Sequence, residues 1–309
     1  MDTTDEQEIA AACANCRKEE HDEIELKACL ACRLVKYCGR DCQIAHCPRH
    51  KKACKKRADE LHEEALFKQP PRAEDCPICF LPLPEALSHG GQTYIGCCAK
   101  MICSGCVYAN KKQYQRSTCP FCRAPMPEND TDTLQRLNKR LEVNDSHACN
   151  EMRALYYHGE NGVVRDKSKA LEYFLRGAEL GSVRAASFVA RAFDIGDCVA
   201  KDSKKARHYY ELAALKGNIA SPCILGAEEA EASEYGKALK HWLISSGRGH
   251  YASLKNIQQV FIEGCATKED FEKTVRTHQQ YIDKIKSDQR DEAAVQIPRG
   301  IGPLDEPRI

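Results

Sequence analysis

Sixteen of the twenty cysteines lie before residue 123, most of them in Cys-x-x-Cys pairs. Sulfurs two or three residues apart can turn toward one ion from a tight knuckle or a single helical turn, so this spacing points to a thiophilic metal. The first group is Cys13, Cys16, Cys29, Cys32, Cys38, Cys42, His50 and Cys54, enough donors for two tetrahedral zinc sites. The second is Cys76, Cys79, Cys97, Cys98, Cys103, Cys106, Cys119 and Cys122. Short segments with so few large apolar residues do not fold without staples, and structural zinc contributes about 10–16 kcal/mol of apparent free energy per site. Iron–sulfur chemistry is the lesser alternative. Cys149, Cys198, Cys223 and Cys265 are scattered singly through helical sequence and read as ordinary buried small residues. No nucleophile with a partner base, Gly-rich phosphate loop or paired carboxylate stands out, so no catalytic residue is assigned.

The 309 residues suffice for two or three domains. A net charge of +1 with 29% charged residues describes an ordinary soluble protein. The basic run Lys51-Lys52-Ala53-Cys54-Lys55-Lys56-Arg57 is diluted at once by Asp59, Glu60, Glu63 and Glu64. It reads as a solvated helix start, and nucleic acid is not an expected partner. The acidic N-terminus lacks a signal-peptide core, and no apolar run approaches the roughly 18 residues of a membrane helix. A cytoplasmic or nuclear location is expected, where disulfides are disfavoured.

Residues 13–54 resemble the MYND finger, including Tyr37-Cys38, Cys42-Gln43 and the His50-Lys51 start of the last ligand pair. The resemblance implies interleaved ligands, with Cys13, Cys16, Cys38 and Cys42 on one zinc and Cys29, Cys32, His50 and Cys54 on the other. Cys47 stands where such fingers usually carry a tryptophan of the peptide-binding surface. His46 and Cys47 are alternative ligands.

Residues 76–123 resemble a RING-type module: Cys76-Pro-Ile-Cys79, Cys97-Cys98-Ala-Lys-Met-Ile-Cys103-Ser-Gly-Cys106 and Cys119-Pro-Phe-Cys122-Arg123. The resemblance implies one zinc on Cys76, Cys79, Cys103 and Cys106, and another on Cys98, Cys119 and Cys122 plus a fourth donor. The usual histidine is replaced by Lys100, whose protonated amine cannot coordinate zinc. Cys97 is the expected replacement, His89 the distant one, and an incomplete second site is the remaining alternative. By the same resemblance, Ile78 and Pro120 would dock a ubiquitin-conjugating enzyme and Arg123 would bridge that enzyme and ubiquitin. Asn110 departs from the large apolar residue that active ligases often carry there.

Gln69-Pro70-Pro71-Arg72 breaks the helix expected after the finger, and Pro125-Met126-Pro127 ends the second module. Leu134, Leu137 and Leu141 at helical spacing predict a helix that packs on the segment C-terminal to it. Asp166, Lys169-Ala170, Tyr173, Ala178 and Gly181 then recur as Asp202, Lys205-Ala206, Tyr209, Ala214 and Gly217, each 36 residues later, and a shorter third copy carries Lys237-Ala238, Trp242 and Gly249. Such a period indicates stacked helical hairpins. The details resemble the Sel1-like repeat, a relative of the tetratricopeptide repeat. Phe261 and residues 271–285 are expected to form a degenerate hairpin capping the stack.

The expected fold is mainly α: two small zinc-stapled modules followed by a short α-solenoid of helical hairpins. The expected segments are 13–54, a MYND-type finger; 55–75, helix and linker; 76–123, a RING-type finger; 124–144, a linker helix; 145–288, repeats; and 289–309, a disordered tail. Two functions are open: a ubiquitin ligase that recruits substrate through its repeats and first finger, and a non-catalytic zinc scaffold. Both take proteins as partners and neither needs a membrane.

Overall fold

A computed structural model of the protein describes residues 12–21, 24–84, 91–114 and 118–296. His89 therefore lies outside the described residues, as does the tail from 297. The chain divides into two compact units, residues 1–68 and 69–309.

In the first unit, β1 (Lys27–Ala28) and β2 (Lys36–Tyr37) form an antiparallel hairpin with Lys27 opposite Tyr37. A single helix, α1 (Arg40–Leu66), comes next and carries Cys42, His50 and Cys54. The helix expected in 55–75 thus begins inside the finger. Only His50 and Leu66 of its 27 residues are buried, and Pro48 in its interior cannot donate the usual i→i−4 bond. So sparse an apolar face holds a helix poorly, which leaves its cysteines and histidine as the anchors. The core is Cys13, Leu26, Cys29, Cys32 and Tyr37, three of them donors.

The second unit opens with β3 (Gln92–Ile95) and β4 (Lys100–Cys103), paired antiparallel with Gln92 opposite Cys103, and α2 (Ser104–Tyr114). Ile95 and Ile102 are buried among Cys76, Cys103, Cys106 and Cys119, with Leu83 closing the cluster. The predicted linker helix is α3 (Asp130–Glu142); Leu137 and Leu141 pack on Ala148, Cys149, Met152 and Leu155 of α4 (Ser146–His158).

The repeat period acquires a structural meaning in α5 (Lys167–Glu179), α6 (Val183–Ile195), α7 (Ser203–Leu215), α8 (Ala220–Glu231) and α9 (Tyr235–Ser246). The recurring aspartates are N-caps: Asp166 accepts from the backbone N–H of Ser168 and Lys169, Asp202 from that of Lys205. The recurring aromatics stack between helices, Tyr173 on Tyr156 and Tyr209 on Phe193. Phe174, Tyr210 and Trp242 fill the core at equivalent places.

Trp242 shows how tight the last hairpin is. Its Nε1 donates to the Cys223 carbonyl at 3.1 Å, and a Cβ on Gly226 would lie 2.5 Å from the same nitrogen. A Gly226→Ala chain is expected to lose about 2 kcal/mol of stability, read as a shift in urea midpoint, because the ring has nowhere to retreat.

The stack is capped by α10 (Tyr251–Ile262) and α11 (Lys268–Ile285), with Phe261 stacked on Phe271 as the degenerate hairpin requires. The expectation of disorder from residue 289 is corrected through Gln296. A further helix, α12 (Asp288–Gln296), packs against α2 and buries Arg290 and Ala293. Its polar sequence hid an apolar contact of only one alanine and a buried guanidinium. Of the four scattered cysteines, Cys149 and Cys223 are buried as expected, whereas Cys198 and Cys265 are half-exposed, lying in the turns after α6 and α10. No helix among the described residues is long and apolar enough to cross a membrane.

Candidate metal centres

Four knuckles share one local conformation. The first cysteine of Cys13, Cys29, Cys76 and Cys119 accepts at its carbonyl from the residue after the second cysteine, namely Arg17, Arg33, Phe80 and Arg123, at 2.8–3.0 Å. Those four residues have φ between 57° and 62°, and the N–H of each first cysteine is tied at 2.8 Å to a carbonyl further along. A left-handed residue closes the loop and turns both sulfurs to one side.

The sulfurs and the imidazole gather into four tetrads: Cys13, Cys16, Cys38 and Cys42; Cys29, Cys32, His50 and Cys54; Cys76, Cys79, Cys103 and Cys106; and Cys97, Cys98, Cys119 and Cys122. Within each, the donor atoms lie within 4.8 Å of one another. Four sulfurs about 2.3 Å from a central zinc stand about 3.8 Å apart in a tetrahedron. The pairs Cys29–Cys54, Cys76–Cys106 and Cys79–Cys103 stand at 3.7, 3.7 and 3.8 Å, Cys98–Cys119 and Cys97–Cys122 at 3.6 Å, and Cys16–Cys38 at 3.5 Å. Cys32 Sγ lies 3.2 Å from His50 Nε2, shorter as the shorter zinc–nitrogen bond demands. The donors present fit zinc.

One thiol in each tetrad is drawn below the ordinary cysteine value. Burial raises Cys13, but the backbone N–H groups of Cys16 and Cys38 prevail and bring it to about 6. At Cys29 burial is likewise overcome, by the backbone of Cys32 and the His50 side chain, to about 6. Cys76, raised by burial, is lowered to about 7 by the backbone of Cys103 and Cys79, and the Ala124 backbone brings Cys122 to about 7. Each tetrad also pushes another thiol up, Cys38 chiefly through the Cys16 side chain and Cys54, Cys106 and Cys97 chiefly through burial, so each cluster offers one ready thiolate, the form a metal takes.

The predicted interleaving in the finger is the observed grouping, and neither His46 nor Cys47 joins a tetrad. His46 stacks on His50 and bonds the Tyr37 hydroxyl at 3.1 Å, while Cys47 is exposed on α1. In the second module, adjacent Cys97 and Cys98 both reach Cys119 and Cys122. The β3–β4 turn permits this: Cys98 N–H bonds the Ile95 carbonyl and Ala99 takes φ 51°. Lys100 is exposed and joins no tetrad. Asn110 donates from its side chain to the Thr118 carbonyl at 2.9 Å and so braces the last ligand loop. Ile78 and Phe121 at the knuckle tips are each 37% exposed and Phe80 is 75% exposed; Arg123 is exposed too.

Two contacts had no sequence signal. Tyr94 on β3 donates to Asp145 at 2.6 Å and stacks on His147, which seats the second module on the start of the repeats. Arg290 on α12 reaches Cys79. Both join residues more than 50 positions apart by single side chains, which no periodicity reveals. No tetrad forms in the array among the described residues.

Residues 13–54 match the family model of the MYND finger, and residues 146–182 and 183–218 match that of the Sel1 repeat. The chain is 30% identical over 129 residues to the chitin synthase regulator SKT5 of Saccharomyces cerevisiae, covering 39% of this chain and 18% of that protein. It is 33% identical over 69 residues to cytochrome c oxidase assembly factor 7A of Xenopus laevis, covering 22% and 30%. The chain thus spans less than a third of either relative. Similar solved structures are a Sel1 repeat protein from Oxalobacter formigenes (TM-score 0.44, 22% identity, 58% of this chain and 70% of that one) and c5321, a protective antigen of uropathogenic Escherichia coli (0.45, 19%, 66% and 43%). This protein is a zinc-binding, interaction-type chain that carries a MYND finger and Sel1 repeats.

Proposed function

We propose that each tetrad holds one zinc ion, and that residues 76–123 act as a RING-type module docking a ubiquitin-conjugating enzyme through Ile78, Pro120 and Arg123. The finger and the repeats recruit the proteins to be modified, in the cytoplasm or nucleus. The observation that carries the reading is the interlocked pair of tetrads, 76/79/103/106 with 97/98/119/122, whose knuckles leave apolar tips in solvent. A module of this kind needs no catalytic side chain; it lowers the barrier by holding the enzyme and its thioester-linked ubiquitin in a reactive arrangement. Arg123 suits the bridging role because its planar guanidinium fork can donate to two partners at once from an exposed position.

A second reading, a non-catalytic zinc scaffold, is favoured by Asn110, whose amide is spent on the Thr118 carbonyl where a docking surface would be apolar. Ubiquitin discharge from a panel of conjugating enzymes separates the two. The full chain is expected to accelerate discharge from at least one of them, and Ile78→Ala or Arg123→Ala to slow it about tenfold with zinc content unchanged. Absence of acceleration across the panel rejects the ligase reading in favour of the scaffold.

A further inference from the structure

Arg290 is 3% exposed, and its side-chain partners among the described residues are two carbonyls and a sulfur, with no carboxylate. One Nη donates to the Ile285 carbonyl at 2.7 Å; the other lies 3.7 Å from Cys79 Sγ and 3.4 Å from the Leu81 carbonyl; Nε has no partner among the described residues. A buried guanidinium without a counter-ion is costly. Among the described residues, the anionic chemistry within its reach is the sulfur of the Cys76 tetrad, and four thiolates around one divalent ion carry a net charge of −2. The approach is built in from the other side as well. A Cβ on Gly105, beside the ligand Cys106, would come within 2.9 Å of the Arg290 backbone nitrogen and Cγ, so α12 reaches this depth only over a glycine.

We infer that Arg290 is an outer-sphere positioning residue of the zinc centre formed by Cys76, Cys79, Cys103 and Cys106, and that this contact makes the seating of α12 on the module dependent on the metal. The inference rests on the metal assignment proposed above but not on ligase activity. The guanidinium orients Cys79 and offsets the charge of the thiolate cluster; the cluster in turn supplies the counter-ion that lets Arg290 stay buried. Loss of the ion removes the fixed geometry of the sulfurs and frees α12 from α2, opening a link between the last helix of the described chain and the module 180 residues earlier in sequence, where Lys112 also pairs with Glu292. Outer-sphere partners of this kind change metal affinity by about 10- to 100-fold when removed.

The test uses the full chain, zinc counting by native mass spectrometry, zinc transfer to a chromogenic chelator, and hydrogen exchange over residues 288–296. Arg290→Met is expected to bind the same number of ions at saturation but to release one of them at least about tenfold faster, with loss of exchange protection in α12. Arg290→Lys, which keeps the charge, recovers part of both effects. Gly105→Ala keeps the Arg290 side chain but displaces it together with α12; it is expected to speed release of the same ion, and so reports the contact even if Arg290→Met folds poorly. Stripping zinc from the parent exposes 288–296. Unchanged protection of 288–296 in the metal-free parent, or zinc release from Arg290→Met at the parental rate, overturns the inference. A parent whose Cys76 tetrad takes up no zinc overturns the metal assignment beneath it, and the initial ion count identifies that case.

Discussion

With one zinc per tetrad as proposed, a Cys103→Ser chain is expected to bind two ions against four in the parent, and to lose exchange protection throughout residues 76–123 while the finger at 13–54 keeps its ions. The reason lies in how the second module is built. Its buried cluster is Cys76, Leu83, Ile95, Ile102, Cys103, Cys106 and Cys119, so more of the core is thiol than aliphatic side chain. Removing one donor takes most of the roughly 10–16 kcal/mol of a structural site, far beyond what Leu83, Ile95 and Ile102 supply on their own at about 2 kcal/mol each. The second tetrad falls with the first because Cys103 ends the strand whose hairpin turn carries Cys97 and Cys98. The finger is spared because it belongs to the other compact unit. Native mass spectrometry of the variant reads the count directly. Retention of three ions with a protected module would show that the two centres of residues 76–123 fold independently.

Asp145→Ala is expected to cost about 3–5 kcal/mol, read by urea denaturation of the metal-loaded chain. One carboxylate serves three elements here. Oδ2 accepts the Tyr94 hydroxyl at 2.6 Å and the Arg140 guanidinium at 2.8 and 2.9 Å, while Oδ1 caps α4 through the backbone N–H of His147 and Ala148. Its side chain is only 7% exposed, so alanine leaves a half-buried guanidinium and a phenol without their acceptor. Tyr94→Phe removes a single bond and should cost about 1 kcal/mol. Burial raises the Asp145 pKa, but the Tyr94 and Arg140 donors outweigh it and hold the carboxyl below its ordinary value. A depressed folded pKa contributes stability that is present above the unfolded value of about 3.9 and is lost as pH falls through the lower folded one. The difference in stability between parent and Asp145→Asn should therefore shrink on acidification below that value. A constant difference would show that the carboxylate charge does not hold the module to the repeats.

Much of the molecule was legible because its donors and its repeats are local. A Cys-x-x-Cys pair closes its own knuckle through hydrogen bonds within six residues, so Cys13, Cys29, Cys76 and Cys119 announce their geometry in sequence. A helical hairpin buries small and aromatic residues at fixed intervals, so Asp166 and Asp202, or Tyr173 and Tyr209, reveal the array by recurrence alone. Element boundaries were less legible. The helix placed after the finger starts at Arg40, inside it, because donors rather than an apolar stripe anchor α1. Residues 289–296 read as disordered in sequence, since a charged segment this short cannot show that Arg290 has sulfur to bind.

By itself, then, the sequence determined the donor types, their pairing into knuckles and the period of the array, all set by chemistry acting over a few residues or one repeat. Only the tertiary structure decided that Cys97 shares a tetrad with Cys98, that Asn110 braces Thr118, that Tyr94 meets Asp145, and that Arg290 closes on Cys79. Each of these depends on a turn or a helix placing one side chain against a distant one. The energy that selects such contacts is the burial of a charge or polar group with its partner, and that partner is defined only when the chain has folded.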